Sequence, residues 1–466
     1  MHKLHGAFLC IFYITDYAQI TVKCVKKEQT MYKINFITFG CKVNHYETEC
    51  MKSLFREASY EITEELTEAD AVIINSCTVT SSGDSRALAA LRKTRAALPD
   101  AVIALTGCYP QANREEAAKL SEADIIAGTK SRAHIVELVG DCLENRTRIV
   151  ELSDYSSEDI FEPLKCTRFD SNTRAFVKIQ DGCNQFCSYC MIPFARGRCR
   201  SKPVDVLREE IRAIAENGVK EIVLSGINLA FYGREWGLDL ADAAELCAET
   251  EGIERIRLGS LEPEMMSEEL LGRLKALPQF CPQFHLSLQS GCKRTLKAMN
   301  RKYTAEEYLA LTERIRSIFP DCSFTTDVMV GFPQETDDDH AESVEFIRRI
   351  GFAKVHVFRY SRRKGTRADK MDGQVPESVK TLRWQEMTAA ADETREKYLS
   401  SLVGKTVPVL FERENSTEFH RGYAPDYTLI KISRKNPEKS LRNRIISVII
   451  EEYGHDCCLA VPVDDI

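Results

Sequence analysis

The chain has 466 residues, 44% hydrophobic and 29% charged, with a formal net charge of −7. This length predicts two or three domains rather than a single core, and the composition is that of a globular, soluble protein. The acidic balance argues against a nucleic-acid binder that is basic all over, yet three local runs are basic: 196–202 (RGRCRSK), 359–370 (RYSRRKGTRADK) and 431–444 (KISRKNPEKSLRNR). Eighteen cysteines are many. Disulfide density belongs to short secreted domains with small cores, so a long, well-patterned chain predicts a cytosolic protein with some thiols on metal. There is no internal repeat or low-complexity tract.

Residues 1–30 are expected to be a dispensable extension or an upstream mis-start. Their apolar stretch Leu4–Ile14 is 11 residues long, against roughly 20 needed to span a bilayer, and no small-residue cleavage site follows it cleanly. Met31 opens the first patterned strand. Over 31–145 strand-like runs alternate with helical stretches at Glu47–Ala58 and Ser85–Leu98, and each of three runs, KINFITFG, ADAVIINS and AVIALTG, leads into a cysteine: Cys41, Cys77 and Cys108. Their spacings of 36 and 31 residues each match one βαβ step, whose right-handed crossover makes the strands parallel. The three thiols are therefore predicted at the carboxyl edge of one open sheet, where α/β folds bind ligands. The bland alternative is three buried core thiols.

Residues 146–172 read as a polar linker. From 173 to 400 the alternation resumes, with strands expected at 175–180, 221–226, 254–259, 283–288, 323–330 and 353–359. Helices are expected at Val204–Asn217, Asp239–Glu249, Glu264–Ala276, Ala305–Ile318 and Thr336–Ile350. Six βα units are too few for a closed eight-fold barrel, so an open partial (β/α)6 barrel is expected, with its chemistry at the strand carboxyl ends. An amphipathic helix is predicted over 376–400, packing through Val379, Leu382, Met387, Ala390, Thr394 and Tyr398. Short strands at Val407–Phe411, Tyr427–Ile432 and Arg444–Ile450 then suggest a small β-barrel over 401–466, a class that often binds nucleic acid. The fold class expected is thus α/β, in three parts.

The first barrel strand runs into DGCNQFCSYC, which spaces Cys183, Cys187 and Cys190 as C-x3-C-x2-C. Zinc sites usually take four ligands in paired CxxC units, whereas this triplet has no fourth cysteine nearby. A cubane held by three thiolates keeps one iron open to ligands, and two sets of three cysteines suggest two such clusters.

With Tyr189 before the third cysteine, this motif resembles that of the radical S-adenosylmethionine (SAM) superfamily. More closely, GCKVNHYETE, INSCTVT, LTGCYPQ, DGCNQFCSYCMIPFARGR, HLSLQSG, TTDVMVGFPQET and HVFRYSRRKGTRA occur in the order seen in methylthiotransferases. The final 60 or so residues, with GYAPDY at 422–427, resemble a TRAM domain, an RNA-binding barrel. GCKVN at 40–44 and FARGRCRS at 194–201 are most similar to the branch acting on N6-threonylcarbamoyladenosine 37 of tRNA. The isopentenyladenosine branch typically reads GCQMN there and the ribosomal-protein branch GCPKN. Departures from the family pattern are Arg359, Gln334, Cys199 and Cys292; Cys292 is read as a bystander thiol.

The resemblance implies that Cys183, Cys187 and Cys190 hold a [4Fe–4S] cluster that cleaves SAM, and that Cys41, Cys77 and Cys108 hold an auxiliary [4Fe–4S] cluster carrying the sulfur to be transferred. One SAM donates methyl; another yields the radical that opens C2–H of the adenine. An unactivated aromatic C–H has no acidic proton, which is why the step falls to a cofactor radical while protein groups orient and exclude water. Tyr189 is expected beside the SAM site. Ser225-Gly226 is expected to let SAM approach the backbone, and Asn228, Gln289 and Asp327 to hydrogen-bond it. No acid–base catalytic residue is assigned. The expected partners are the tRNA anticodon loop at position 37 and an electron donor, with no membrane, in the cytoplasm. The alternatives are the two sister branches or, in another class, a non-catalytic iron–sulfur protein that binds RNA or senses redox state.

Overall fold

The structure is a computed structural model that describes residues 31–166, 173–413, 416–434 and 439–464; the expectation for residues 1–30 lies outside them. The first unit is an all-parallel six-stranded sheet in the order β2-β1-β3-β4-β5-β6, with β1 Lys33–Thr38, β2 Glu61–Ile62, β3 Ala71–Ser76, β4 Val102–Gly107, β5 Ile125–Ala127 and β6 Ile149–Glu151. Both central strands, AVIINS and VIALTG, are buried at every residue, as an apolar run must be when helices cover both faces. Met51 and Phe55 of helix α1 (Lys42–Glu57) pack one face with Ile34 and Ile73, while Leu91 of helix α2 (Ser81–Ala97) packs the other with Val72 and Leu105. Helix α1 starts five residues before the expected boundary because Cys41 is itself its N-cap.

β6 falls inside the stretch expected to be a linker. It pairs in parallel with β5, and Phe161, Leu164 and Cys166 beyond it are buried. The described part of that segment is thus a strap packed through β6 and these three residues.

The second unit has β7 Arg174–Asp181, β8 Arg200–Ser201, β9 Glu221–Gly226, β10 Arg255–Leu258, β11 Ser260–Leu261, β12 Gln283–Leu286, β13 Ser323–Val330 and β14 Lys354–Arg359. The sheets β10-β9-β7-β8 and β11-β12-β13-β14 join through the parallel bridge Ile256–Phe280. Every pairing among the main strands is parallel; the short β8 alone runs antiparallel, to β7. The result is an arc of six main strands, open between β7 and β14. Alternate residues such as Val177, Leu224, Ile256, Phe284 and Val328 join Leu207, Ile211, Leu271 and Ile347 in an outer core. By the two-residue repeat of a strand, Phe176, Lys178, Gln180, His285 and Asp327 face the lumen.

The third unit is a closed barrel, β15-β16-β17-β19-β18, with β15 Thr406–Phe411, β16 Phe419–Tyr423, β17 Leu429–Ser433, β18 Ile445–Tyr453 and β19 Cys458–Pro462. It sits at the amino ends of the arc strands: Arg255 donates to the carbonyls of Tyr423 and Pro408 at 2.8 and 2.7 Å, and Ser323 to that of Asp426 at 2.7 Å. Helix Glu377–Ser400 leads to it. That helix departs from the expected face, since Leu382 is 55% exposed while Lys380 and Arg383 are buried. Arg383 ion-pairs Glu335 at 2.9 Å, which makes a basic side chain an interior one.

Among the described residues, no helix is long and apolar enough to cross a membrane.

Candidate active site

Cys41, Cys77 and Cys108 follow β1, β3 and β4, three neighbouring strands of one sheet. Two of them are preceded by glycines with positive φ, Gly40 at 111° and Gly107 at 98°, where an L side chain is strained. The turns are also too tight for one: a Cβ on Gly40 would lie 2.7 Å from Cys77 Cβ and 3.1 Å from its Sγ, and one on Gly107 would lie 2.4 Å from the Ser76 carbonyl. Asn44 braces the same turn, donating to the carbonyls of Phe39 and Ser76 at 2.8 and 2.9 Å. The expected gathering of the three thiols at one sheet edge is what the structure has. Burial pushes the Cys77 thiol up, with Cys41 adding to it, and that of Cys108 up to about 12, with Cys77 and Cys41 adding to it.

Cys183, Cys187 and Cys190 lie on the loop after β7. Backbone amides point at two of the sulfurs, Gln185 N–H at Cys183 (3.5 Å) and Ile192 N–H at Cys190 (3.4 Å). Asn228 Nδ2 reaches Cys183 at 3.6 Å and Arg301 Nη1 reaches Cys187 at 3.3 Å. Donors aimed at sulfur stabilise thiolate-bound iron and tune it. Burial pushes the free thiols of Cys183 and Cys190 up to about 12, so a bound metal must take over from the proton. Neither triad is drawn in tightly enough for one ion: among the described residues, the trio with ligand atoms all within 4.8 Å is Cys292, Asp339 and Glu342. A tetrahedral zinc would need sulfurs about 3.8 Å apart. The N–H donors aimed at Cys183, Cys187 and Cys190 suit thiolates on iron.

One loop connects the two triads. Gly197 accepts the Cys183 N–H at 3.0 Å, and its neighbour Arg196, fully buried, donates through Nε to Cys108 Sγ at 3.3 Å. The same guanidinium donates to Asn44 Oδ1 (2.8 Å), Glu47 (2.7 and 2.9 Å) and Asp181 (3.0 Å). Lys178 bridges Glu47 and Asp181 at 2.8 and 3.1 Å. Arg132 pairs with Glu47, and with Glu162 at 2.9 Å. The surrounding cations hold the Glu47 carboxyl at about 2, and that of Asp181 well below its ordinary range, against the opposing pull of burial. The basic run 196–202 is therefore no RNA-facing patch: Arg196 and Lys202 are fully buried, the latter on Glu210 and Tyr46. The run 359–370 is likewise partly internal, with Arg363 buried on Asp84 and Thr78. Sequence reasoning missed Arg196, Glu47, Lys178 and Arg301; the one available signal was basic residues flanking a cysteine motif.

The residues expected near SAM are distributed as follows. Tyr189 meets Phe332 edge-on at 6.3 Å. Asn228 is 2% exposed, and its Oδ1 is buried without a partner, an acceptor that suits an N–H of a bound ligand. Ser225 donates back to the Val223 carbonyl at 3.3 Å. At Gly226 a Cβ would lie 2.9 Å from Gln180 Cβ, so the backbone also approaches β7 closely there. Gln289 takes φ +67° and is tied to β13 through Asp327 O at 2.8 Å. The Asp327 carboxylate lies 3.4 Å from His285 Nε2. Cys292 is buried, donating to Asp339 Oδ1 at 3.2 Å. Cys199 touches the first triad's loop through the Gly182 carbonyl at 3.7 Å.

The lumen floor is made by Tyr427 of the C-terminal barrel. Its ring lies under the Arg174 and Arg257 guanidinium groups at 5.0 and 4.4 Å, and Arg257 pairs with Glu221 at 3.1 Å. Lys42, the residue after Cys41, reaches the same space.

An open arc of parallel strands with a three-thiol loop after its first strand defines a radical SAM fold. The Radical SAM superfamily model matches residues 177–347, and the model described as "Uncharacterized protein family UPF0004" matches 33–128. The threonylcarbamoyladenosine tRNA methylthiotransferase MtaB of Bacillus subtilis is 35% identical over 435 residues, 91% of this chain and 95% of that one. Its counterpart in Aquifex aeolicus is 36% identical, covering 82% of this chain and 93% of its own. The tRNA-2-methylthio-N(6)-dimethylallyladenosine synthase of Caldicellulosiruptor saccharolyticus is also 36% identical, covering 81% and 82%. The structure of the radical SAM methyltransferase TsrM from Kitasatospora setae superposes with a TM-score of 0.56 at 13% identity, covering 73% of this chain and 74% of that one, a likeness of fold. The chain belongs to the radical SAM methylthiotransferase family, enzymes that work with SAM and a [4Fe–4S] cluster.

Proposed function

We propose that this protein inserts a methylthio group at C2 of N6-threonylcarbamoyladenosine 37 in tRNA. Residues 31–151 would carry an auxiliary [4Fe–4S] cluster on Cys41, Cys77 and Cys108, and the arc from 173 to 400 the SAM-cleaving cluster on Cys183, Cys187 and Cys190. The barrel after 401 would contribute to RNA binding. The observation that carries this reading is the meeting of two thiol triads at the carboxyl ends of two parallel sheets, joined by the single loop 181–197. When bound, the clusters and SAM supply the radical and the sulfur. The chain's own residues do the rest. The Asn228 Oδ1 acceptor orients SAM, with Tyr189, Ser225, Gly226 and Gln289 around it, and Arg301 holds Cys187. The ion-pair group on Glu47 fixes the distance between the triads. An anticodon-loop base is single-stranded and enters an enclosed lumen at low unstacking cost. The chemistry needs an external one-electron donor, and a tRNA substrate places the protein in the cytoplasm.

Relatives named for dimethylallyladenosine at 36% identity favour that substrate as a second reading. Nucleoside mass spectrometry of tRNA from a strain lacking the gene separates them. Loss of the methylthio form of threonylcarbamoyladenosine, restored by the gene, is the expected result; loss of the dimethylallyl form alone would overturn the choice of substrate.

A further inference from the structure

Lys42 sits one residue after Cys41, in the first turn of α1, and its side chain leaves the N-terminal sheet. Its ammonium lies 5.6 Å from the ring centre of Phe176 on β7 and 5.6 Å from that of Tyr427. It is also within electrostatic range of Asp327 on β13 and His356 on β14. It therefore stands across the lateral opening of the arc, between its two edge strands. Lys42 is solvent-exposed, so its ammonium is not packed core.

The charged groups around it are already engaged with one another. Arg257 pairs with Glu221 at 3.1 Å, Arg174 with Glu412 at 2.5 Å, and Asp327 lies 3.4 Å from His285. Among the described residues, no carboxylate lies within 4.0 Å of the Lys42 ammonium; its neighbours are two aromatic faces. Such faces hold a cation in place without neutralising it. Lys42, next in sequence to the thiol expected to ligate the auxiliary cluster, thus presents a positive charge with no carboxylate partner among the described residues.

The two substrates named for this chain's relatives differ in what they offer that charge. A threonylcarbamoyl group on N6 ends in a carboxylate; a dimethylallyl group is hydrocarbon only. Resting on the methylthiotransferase reading above, we propose that Lys42 is a specificity-determining residue that pairs with the carboxylate of the N6 substituent and so selects threonylcarbamoyladenosine. A site built around a charged donor rejects the analogue that lacks the acceptor, because the donor is then left enclosed and unpaired. Asp327 and His285, 3.4 Å apart, face the same lumen and offer partners for the substituent's hydroxyl and urea groups.

The test uses the reconstituted full-length protein and anticodon stem-loop RNAs bearing, at position 37, threonylcarbamoyladenosine, its methyl ester, dimethylallyladenosine or adenosine. Dissociation constants are read anaerobically by fluorescence anisotropy. The wild type should bind the acid roughly ten- to a hundredfold more tightly than the ester, the worth of one charge-assisted hydrogen bond. Lys42→Gln should bind acid and ester alike at unchanged iron content, and Lys42→Arg should restore part of the preference. Equal wild-type affinity for acid and ester overturns the proposal without recourse to any variant, and so does a Lys42→Gln protein that keeps the preference. A wild type that methylthiolates none of these RNAs refutes the functional reading itself. One that converts the acid yet binds acid and ester equally refutes the role of Lys42 alone.

Discussion

Replacing Glu47 with Gln removes one negative charge from a largely buried group in which Glu47, Asp181 and Glu162 face Arg132, Lys178 and Arg196. The substitution keeps the shape and leaves one cation too many. Breaking a buried pair by removing one partner costs about 3–5 kcal/mol. The carboxyl itself gives a similar figure: it is held at about 2 against an ordinary 4.5, and 1.36 kcal/mol per unit makes that about 3 kcal/mol. Because the folded value is depressed, this stability is present above pH 4.5 and is lost as the pH falls toward 2. Glu47 belongs to α1 while Lys178, Asp181 and Arg196 belong to the arc, so the loss should fall on the junction between the two units. Guanidinium unfolding under anaerobic conditions, at pH 7 and at pH 3.5, reads it. Glu47→Gln should unfold its N-terminal unit earlier at pH 7, by about 3–5 kcal/mol, and narrow the gap between the two pH values. A change below about 1 kcal/mol at pH 7 would refute the assignment of a stabilising, ionised Glu47.

Other outcomes follow from the same geometry. Arg196→Gln removes the N–H donor to Cys108 and should lower the reduction potential of the auxiliary centre by tens of millivolts, about one hydrogen bond; potentiometric EPR titration in a Cys183→Ala background measures it. Cys187→Ala should abolish 5′-deoxyadenosine formation, whereas Cys77→Ala should stop methylthio insertion and leave part of the SAM cleavage, both read by mass spectrometry of the products. Tyr427→Ala removes the ring beneath Arg174 and Arg257 and should loosen the C-terminal barrel by about 1–3 kcal/mol, seen as faster hydrogen exchange in its strands Phe419–Tyr423 and Leu429–Ser433. Cys292→Ser should leave iron content unchanged, since this thiol bonds to Asp339.

The two triads were legible because strand, turn and cysteine recur at βαβ spacing, and parallel pairing turns that spacing into one edge. The arc was legible for the same reason, its six main strands lying where the alternation puts them. The strands Phe419–Tyr423 and Cys458–Pro462 were not: the first carries His420, Arg421 and Gly422, and the second is a short run near the chain end, so neither shows a clean two-residue repeat. What sequence could not convey was the sign of burial for charged residues. Arg196, Lys202 and Arg363 look like surface residues in a basic run, and Glu47 like the polar face of a helix. Arg196, Arg363 and Glu47 are interior because a partner from another unit, distant in the chain, neutralises each, while Lys202 is neutralised by Glu210 of its own unit under the Tyr46 hydroxyl. Lys42 is the converse, a solvent-accessible charge with no carboxylate within 4.0 Å among the described residues.

Iron and sulfide analysis after anaerobic reconstitution tests the central claim most directly. About eight irons per wild-type chain and about four after joint replacement of Cys41, Cys77 and Cys108 with Ala are expected for two cubanes. About four irons in the wild type, unchanged by that replacement, would contradict it.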